Sequence, residues 1–168
     1  MPLIHSFPPV ADASARLLIL GSMPGEESLR AGQYYAHPRN TFWKLMGEFF
    51  AASPGLPYDR RTQQLKKSGV ALWDVLACCV RKGSLDAAID QQSIIPNDFP
   101  QFFAAHPAIT QVFFNGATAE RCFRLHVQPL LARRTLLQYT RLPSTSPAHA
   151  ASSYAQKRQA WRAVALIH

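Results

Sequence analysis

A chain of 168 residues, 48% of them hydrophobic, is long enough for one sizeable core and too short for two comfortable domains, so a single domain over residues 1–168 is expected. Its 18 lysines and arginines against 10 acidic residues leave a formal net charge of +8, which favours a polyanionic partner, nucleic acid first. Three cysteines, Cys78, Cys79 and Cys122, without Cys-x-x-Cys spacing exclude a disulfide framework and a zinc or iron–sulfur centre.

The first eleven residues lack the basic and apolar regions of a secretion signal, and no apolar run approaches the ~20 residues that span a bilayer. A cytoplasmic protein with reduced thiols is the expectation. His5 to Ala13 is a proline-rich lead-in, held extended by Pro8 and Pro9. Arg16 to Leu20 is a short, continuous apolar run, the pattern of a strand buried on both faces. It enters the turn Gly21-Ser22-Met23-Pro24-Gly25. Tyr34 to Asn40 then precedes an amphipathic helix from Phe42 to Ala52, with apolar residues at Phe42, Leu45, Met46, Phe49 and Phe50. Ser53 to Tyr58 breaks that helix, and Arg60 to Lys67 reads as a short polar one. Gly69 to Leu76 is the second strand, apolar except for Asp74 near its end.

Arg81 to Pro96 reads as irregular. Asn97 to Ala105 is helical, with Asn97 or Asp98 as its cap. Gln111 to Phe114 is the third strand, ended by Asn115-Gly116, and Ala117 to His126 is a helix. Thr135 to Leu137, with an extension to Tyr139 left open, is the fourth strand, followed by the loop from Leu142 to Ala150. Ser153 to Ile167 closes the chain as an amphipathic helix carrying Tyr154, Trp161, Val164 and Leu166. Strands alternating with helices specify an α/β fold, a three-layer α/β/α sandwich around a central, mostly parallel four-stranded sheet. Each strand end delivers a polar loop to one edge of that sheet, where open α/β folds place their ligand sites.

Three stretches together carry a family resemblance: the Gly21 to Gly25 turn, the aromatic-Ala-His-Pro-x-Asn-x-Phe-Trp run from Tyr35 to Trp43, and the Pro143-Ser144-Thr145-Ser146-Pro147 loop. In this order the chain resembles the uracil-DNA glycosylase superfamily, most closely its DNA-deoxyinosine (hypoxanthine-DNA) glycosylase branch. The resemblance implies a monofunctional enzyme that flips a deaminated base out of DNA and hydrolyses its N-glycosidic bond with water, without metal or cofactor. A monomer acting on DNA is expected. Met23 stands where mismatch-specific relatives carry a catalytic Asn, and Leu142 where many relatives begin the second motif with His or Asn. The deoxyinosine branch also lacks the first-turn Asn, and its resemblance points to Asn40 as the catalytic residue.

An amide at Asn40 holds a water through its carbonyl oxygen and acts by positioning rather than as a strong base. Directly before an apolar helix, Asn also suits an N-cap, the stronger reading from the residues alone. Tyr35 is placed by the resemblance to stack on the flipped base, which has lost its neighbours. His37 suits a structural contact to the loop. Asp74 suits the base edge, since a carboxylate accepts the N1–H of hypoxanthine and faces a lone pair in adenine. Ser22 and Met23, through backbone N–H groups, with Phe42 and Asn115, complete the expected base site. Ser144, Thr145, Ser146, Pro147, His149 and Arg39 are the expected DNA contacts, joined by the basic pairs Lys66-Lys67 and Arg133-Arg134. The wedge that fills the gap in the duplex is sought in the Leu142 to Ala150 loop. Two alternatives stand beside this reading: a mismatch-specific uracil glycosylase, and a lesion-binding protein weakened by the apolar Met23 and Leu142.

Overall fold

The structure, a computed structural model, describes residues 2–131 and 136–167. Four parallel strands form the central sheet in the order β3-β2-β6-β7: β2 is Leu17–Gly21, β3 Val70–Asp74, β6 Gln111–Asn115 and β7 Gln138–Leu142. Because side chains alternate along a strand, each contributes to two cores. Leu18, Leu20, Ala71, Trp73, Val112 and Phe114 face one side, where α4 (Phe99–Ala105) and α5 (Ala117–His126) bring Phe99, Phe102, Cys122 and Phe123. Leu17, Ile19, Val70, Leu72 and Phe113 face the other. There α2 (Phe42–Phe50), α3 (Tyr58–Lys67) and α6 (Tyr154–Trp161) bring Phe42, Leu45, Leu65 and Trp161. The fold is thus the expected three-layer α/β/α sandwich.

A second, antiparallel sheet was not foreseen. It runs β1-β4-β5, with β1 at Leu3–His5, β4 at Leu76–Val80 and β5 at Ile95–Pro96. The apolar run expected to be one strand from Gly69 to Leu76 is divided at Val75. Val75 N–H donates to Gly21 C=O at 2.8 Å and Leu76 N–H to Ser22 C=O at 3.2 Å, after which the chain leaves the parallel sheet for the second one. The short helix α1 (Glu26–Ala31) is also additional. Asp98 is the cap of α4, accepting from Gln101 N–H, whereas the Asn97 amide donates to the backbone C=O of Asp74 at 2.8 Å. The closing helix ends at Trp161 and continues as a 3-10 turn over Arg162–Leu166, which leaves Leu166 exposed. The fourth strand lies later than expected, and Thr135, Arg133 and Arg134 fall outside the described residues. No described helix is long and apolar enough to cross a membrane.

Candidate active site

The register of the parallel sheet lines up the strand ends at its carboxyl edge. Gly21 pairs with Asp74 and Asn115 with Leu142, and continuing the β2–β6 register sets Asn115 beside Gly21. Gly21 is required there for space. A Cβ on it would lie 2.5 Å from Asp74 Oδ1 and 2.8 Å from the Tyr35 hydroxyl. A bare backbone therefore lets a carboxylate and a phenol converge from two separate segments.

Both converging groups are buried and unspent. Among the described residues Asp74 Oδ2 and Tyr35 Oη are buried without a hydrogen-bond partner of normal geometry, although the Asn115 amide stands near enough to Tyr35 to temper the rise that burial gives its phenol pKa. Since nearly all buried polar groups are paired, two unpaired ones side by side mark a place built for a ligand. Burial pushes the Asp74 carboxyl up from 3.8 to about 7; the Asp86 carboxylate adds to the rise and the Arg81 guanidinium opposes it. Burial first, and then the Asp74 carboxylate, push the Tyr35 phenol well above its ordinary range, so it stays a neutral donor.

Tyr35 has a left-handed backbone, with φ of 54°, a conformation that costs a bulky residue about 1–3 kcal/mol. Its neighbours hold it. Trp43 Nε1 donates to Tyr34 C=O at 2.8 Å, Tyr34 N–H donates to the Tyr58 hydroxyl at 3.0 Å, and Ala36 N–H donates to Ser28 Oγ at 3.1 Å. The Tyr35 ring lies 4.1 Å from Phe42, centroid to centroid. Phe42 itself is 0% exposed and packs against Trp43 and Trp161, so it backs Tyr35 from the core and has no surface to offer a base.

Asn40 is half-buried, and its Oδ1 accepts from Phe42 N–H at 2.9 Å at the start of α2. That bond has the character of a helix-start contact and uses one lone pair of the oxygen. His37 forms the preceding turn: its C=O accepts from Asn40 N–H at 2.9 Å and its Nδ1 from Arg39 N–H at 3.1 Å. Thr41 N–H donates to Thr145 C=O at 3.1 Å, which docks this segment onto the serine-rich loop.

Thr145 is 1% exposed, and its hydroxyl accepts from Asn115 Nδ2 at 2.9 Å while its N–H donates to Asn115 Oδ1 at 2.9 Å. The two residues form a reciprocal latch between the end of β6 and the loop after β7. Asn115 and Thr145 were expected to touch base and phosphate; one Nδ2 hydrogen and one Oδ1 lone pair of Asn115 go to Thr145, and the second of each is left over. The Ser22 hydroxyl donates to Asp86 Oδ1 at 2.8 Å and the Met23 side chain packs into the core with 7% exposure, whereas it is their backbone N–H groups that were expected at the base. Leu142, buried in β7, cannot be the wedge.

Ser144, Ser146, Pro147 and His149 stay partly exposed, with Arg39 fully so, around the same edge. Two contacts from α6 that the sequence did not suggest support their loop: Trp161 Nε1 donates to Pro143 C=O at 2.8 Å, and Lys157 Nζ lies 3.4 Å from Ser146 C=O. Lys66 and Lys67 are not with them. They end α3, just before β3 begins, at the opposite edge of the sheet. Among the described residues no group of three or more His, Cys, Asp or Glu could hold a metal ion.

The model of the Uracil DNA glycosylase superfamily matches residues 8–167 of this chain. The chain belongs to that superfamily. Two relatives are each named Hypoxanthine DNA glycosylase. The protein from Methanosarcina acetivorans is 35% identical over 161 residues, 95% of this chain and 96% of that one. The protein from Methanosarcina barkeri is 39% identical over 113 residues, 67% of this chain and 70% of its own length. A solution NMR structure of a candidate uracil DNA glycosylase from Methanosarcina acetivorans superposes with a TM-score of 0.79 at 34% identity, covering 97% of this chain and 96% of that one. The chain is thus matched over nearly its whole length by one relative named Hypoxanthine DNA glycosylase and, in fold, by a solved structure titled for a uracil DNA glycosylase.

The burial of Asp74 has a measurable consequence for folding. Between pH ~4 and ~7 the folded protein keeps a proton that the unfolded chain releases, so stability falls across this window and is lowest above it. Asp74→Asn, which carries no charge to bury, is expected to be more stable than the wild type by roughly 2–4 kcal/mol at pH 8, with the gap shrinking towards pH 4. Urea denaturation at both pH values checks it; equal stability at pH 8 would show the carboxylate to be well solvated. Gly21→Ala is expected to cost roughly 1–3 kcal/mol by the same assay, because the new methyl must displace Asp74 or Tyr35.

Proposed function

We infer that this chain is a monofunctional DNA N-glycosylase that removes hypoxanthine from deoxyinosine, acting as a monomer in the cytoplasm. The observation that carries the reading is the pairing of the unspent Asp74 carboxyl with the unspent Tyr35 hydroxyl over the bare Gly21 backbone. A base turned out of the duplex is recognised by hydrogen bonds to its edge and by stacking. Ionised Asp74 accepts the N1–H of hypoxanthine and meets the N1 lone pair of adenine with repulsion, so the undamaged purine is rejected. Tyr35 supplies an aromatic face, a neutral O–H donor, or both.

Asn40 acts in this reading as the water holder. Its Oδ1 keeps a second lone pair after accepting from Phe42 N–H, and that lone pair orients a water towards C1′ of the extruded sugar. The water oxygen bonds to C1′, the bond from C1′ to N9 breaks with its electron pair leaving on the base, and the water's proton is finally taken up by the base. Charge thus develops on the purine as it departs. A low-dielectric pocket with fixed dipoles stabilises such charge separation better than solvent, which must reorganise.

The DNA grip falls to the partly exposed Ser144, Ser146, Pro147 and His149 and to Arg39, with backbone N–H groups of the turn at Ser22 and Met23 available to the base. Thr145, Asn115 and Phe42 are assigned to holding that surface in place. The net charge of +8 supports steering towards a polyanion.

Single-turnover release of free base from duplexes carrying one deoxyinosine or one deoxyuridine tests the assignment. Hypoxanthine is expected to leave faster than uracil. Asn40→Ala is expected to slow its release by about 100-fold or more while lowering stability by only about 1 kcal/mol, the worth of a lost helix-start bond. Faster uracil release would make the chain a uracil glycosylase. Unchanged release in Asn40→Ala would return Asn40 to a capping role alone.

A further inference from the structure

One buried cation lies beside the site and is not used by the chemistry above. The segment from Arg81 to Ile89 leaves β4 as a closed loop: Arg81 and Ile89 form an antiparallel bridge, and Asp90 N–H donates to Val80 C=O at 2.9 Å. It meets the Gly21–Gly25 turn and the start of α1 at three polar points. Arg81 Nη2 donates to Pro24 C=O at 2.6 Å, Ser22 Oγ donates to Asp86 Oδ1 at 2.8 Å, and Glu26 N–H donates to Ser84 Oγ at 2.8 Å. Arg81 is 4% exposed. Its Nε donates to Gly83 C=O at 2.8 Å, and among the described residues its Nη1 is buried without a partner.

We propose that Arg81 and Asp86 are positioning residues that set the charge of Asp74, and with it the pH window in which the enzyme discriminates hypoxanthine from adenine. The proposal rests on the reading of Asp74 as the group that meets the base edge. Both residues are clamped to the turn whose first residue, Gly21, lies against the Asp74 carboxyl, so neither can drift from it without breaking a bond to Ser22 or Pro24. Their effects on Asp74 are opposite. Asp86 disfavours its ionised form and Arg81 favours it. The other titratable groups that interact with it, Tyr35 and Tyr34 from the segment before α2 and Tyr58 from α3, are phenols that burial keeps neutral. Burial sets the Asp74 carboxyl high, and among the described residues the charged groups that adjust it both lie in this one loop.

The charge matters because a neutral carboxylic acid is a poor discriminator. Its O–H and C=O match the O6 and N1–H of hypoxanthine, and they match the N1 and amino group of adenine equally well. Only the carboxylate separates the two purines, since it has no hydrogen to offer adenine N1. Arg81 holds Asp74 towards that discriminating form, and Asp86 keeps the balance near neutrality while fixing Ser22.

The test follows the preference for hypoxanthine over adenine, read as single-turnover release of each base from otherwise identical duplexes against pH, in wild type, Asp86→Asn, Arg81→Gln and Arg81→Lys, with the Asp74 carboxyl titration followed in the free proteins by 13C NMR. Asp74→Asn assigns the signal. Asp86→Asn keeps an oxygen acceptor for Ser22, and its midpoint is expected to fall by roughly one pH unit. Arg81→Gln is expected to raise the midpoint by a similar amount, with Arg81→Lys restoring it. Midpoints that stay in place while rates drop equally at every pH would show a bracing role only and overturn the proposal. The NMR arm keeps the two readings apart. Absence of hypoxanthine release by wild type would remove the glycosylase assignment and the window with it, whereas an Asp74 titration unmoved in both charge variants would overturn the proposal even in an active enzyme.

Discussion

Everything at the carboxyl edge of the sheet depends on the missing side chain of Gly21. Two segments about forty residues apart, one ending in Tyr35 and the other in Asp74, need the same few ångströms of space, and only a bare backbone leaves it. The consequences run against stability. A carboxyl is held where water cannot solvate it, and an aromatic residue is held in a left-handed backbone. Neither arrangement persists unless the surroundings over-determine it. The surroundings here are the two cores of the sandwich, with Tyr34, Trp43 and Tyr58 fixing one side of the site and Val75 and Asn97 fixing the other. Burial on this scale holds a carboxyl close to its titration point at neutral pH, without a water shell to strip when a ligand arrives.

A second constraint joins the parts of the site that lie far apart in the chain. The serine-rich loop after β7 must stay near the segment carrying Asn40, and Thr145 does this with three backbone or hydroxyl contacts to Asn115 and Thr41. Because these bonds are buried, leaving any partner unmatched carries the full desolvation penalty of about 1–3 kcal/mol. Trp161 and Lys157 support the same loop from the last helix. Its outward surface thereby consists of small polar side chains on a fixed frame, which suits close approach to a phosphate backbone more than long mobile cations would.

Much of this was legible in the sequence, and the parts that were not share a cause. Short continuous apolar runs ending in Gly, Asp and Asn revealed three of the central strands and the edge at which their loops collect. Leu76–Val80 was hidden because its apolar residues continue those of β3 without a glycine or proline at Val75 to announce the change of sheet. Phe42, Asn115 and Thr145 were read as contacts to a ligand because residue type and motif position do not distinguish a side chain that faces the site from one that holds it open. The packed layers place Phe42 at 0% and Thr145 at 1% exposure, and such packing cannot be read from residue type. Arg81 and Asp86 were missed for a related reason: they meet the first turn across separations of 57 and 64 residues, a distance at which local pattern carries no information.

The apolar Met23 and Leu142 fit the same physical scheme. Each stands where a polar group would have had to be solvated or paired within the site, and each is instead packed into a core, Met23 under the first turn and Leu142 at the end of β7. A site with fewer polar groups has a lower local dielectric, which strengthens every remaining electrostatic interaction. Hydrolysis with a departing purine needs little nucleophilic power from the protein, because the leaving group takes the bonding electrons as the water arrives. It needs instead a fixed water and a pocket whose charge is defined before the base enters. In the proposed reading one amide, one buried carboxyl and one phenol meet that need, and the dry surroundings that Met23 and Leu142 help to build make each of them count for more.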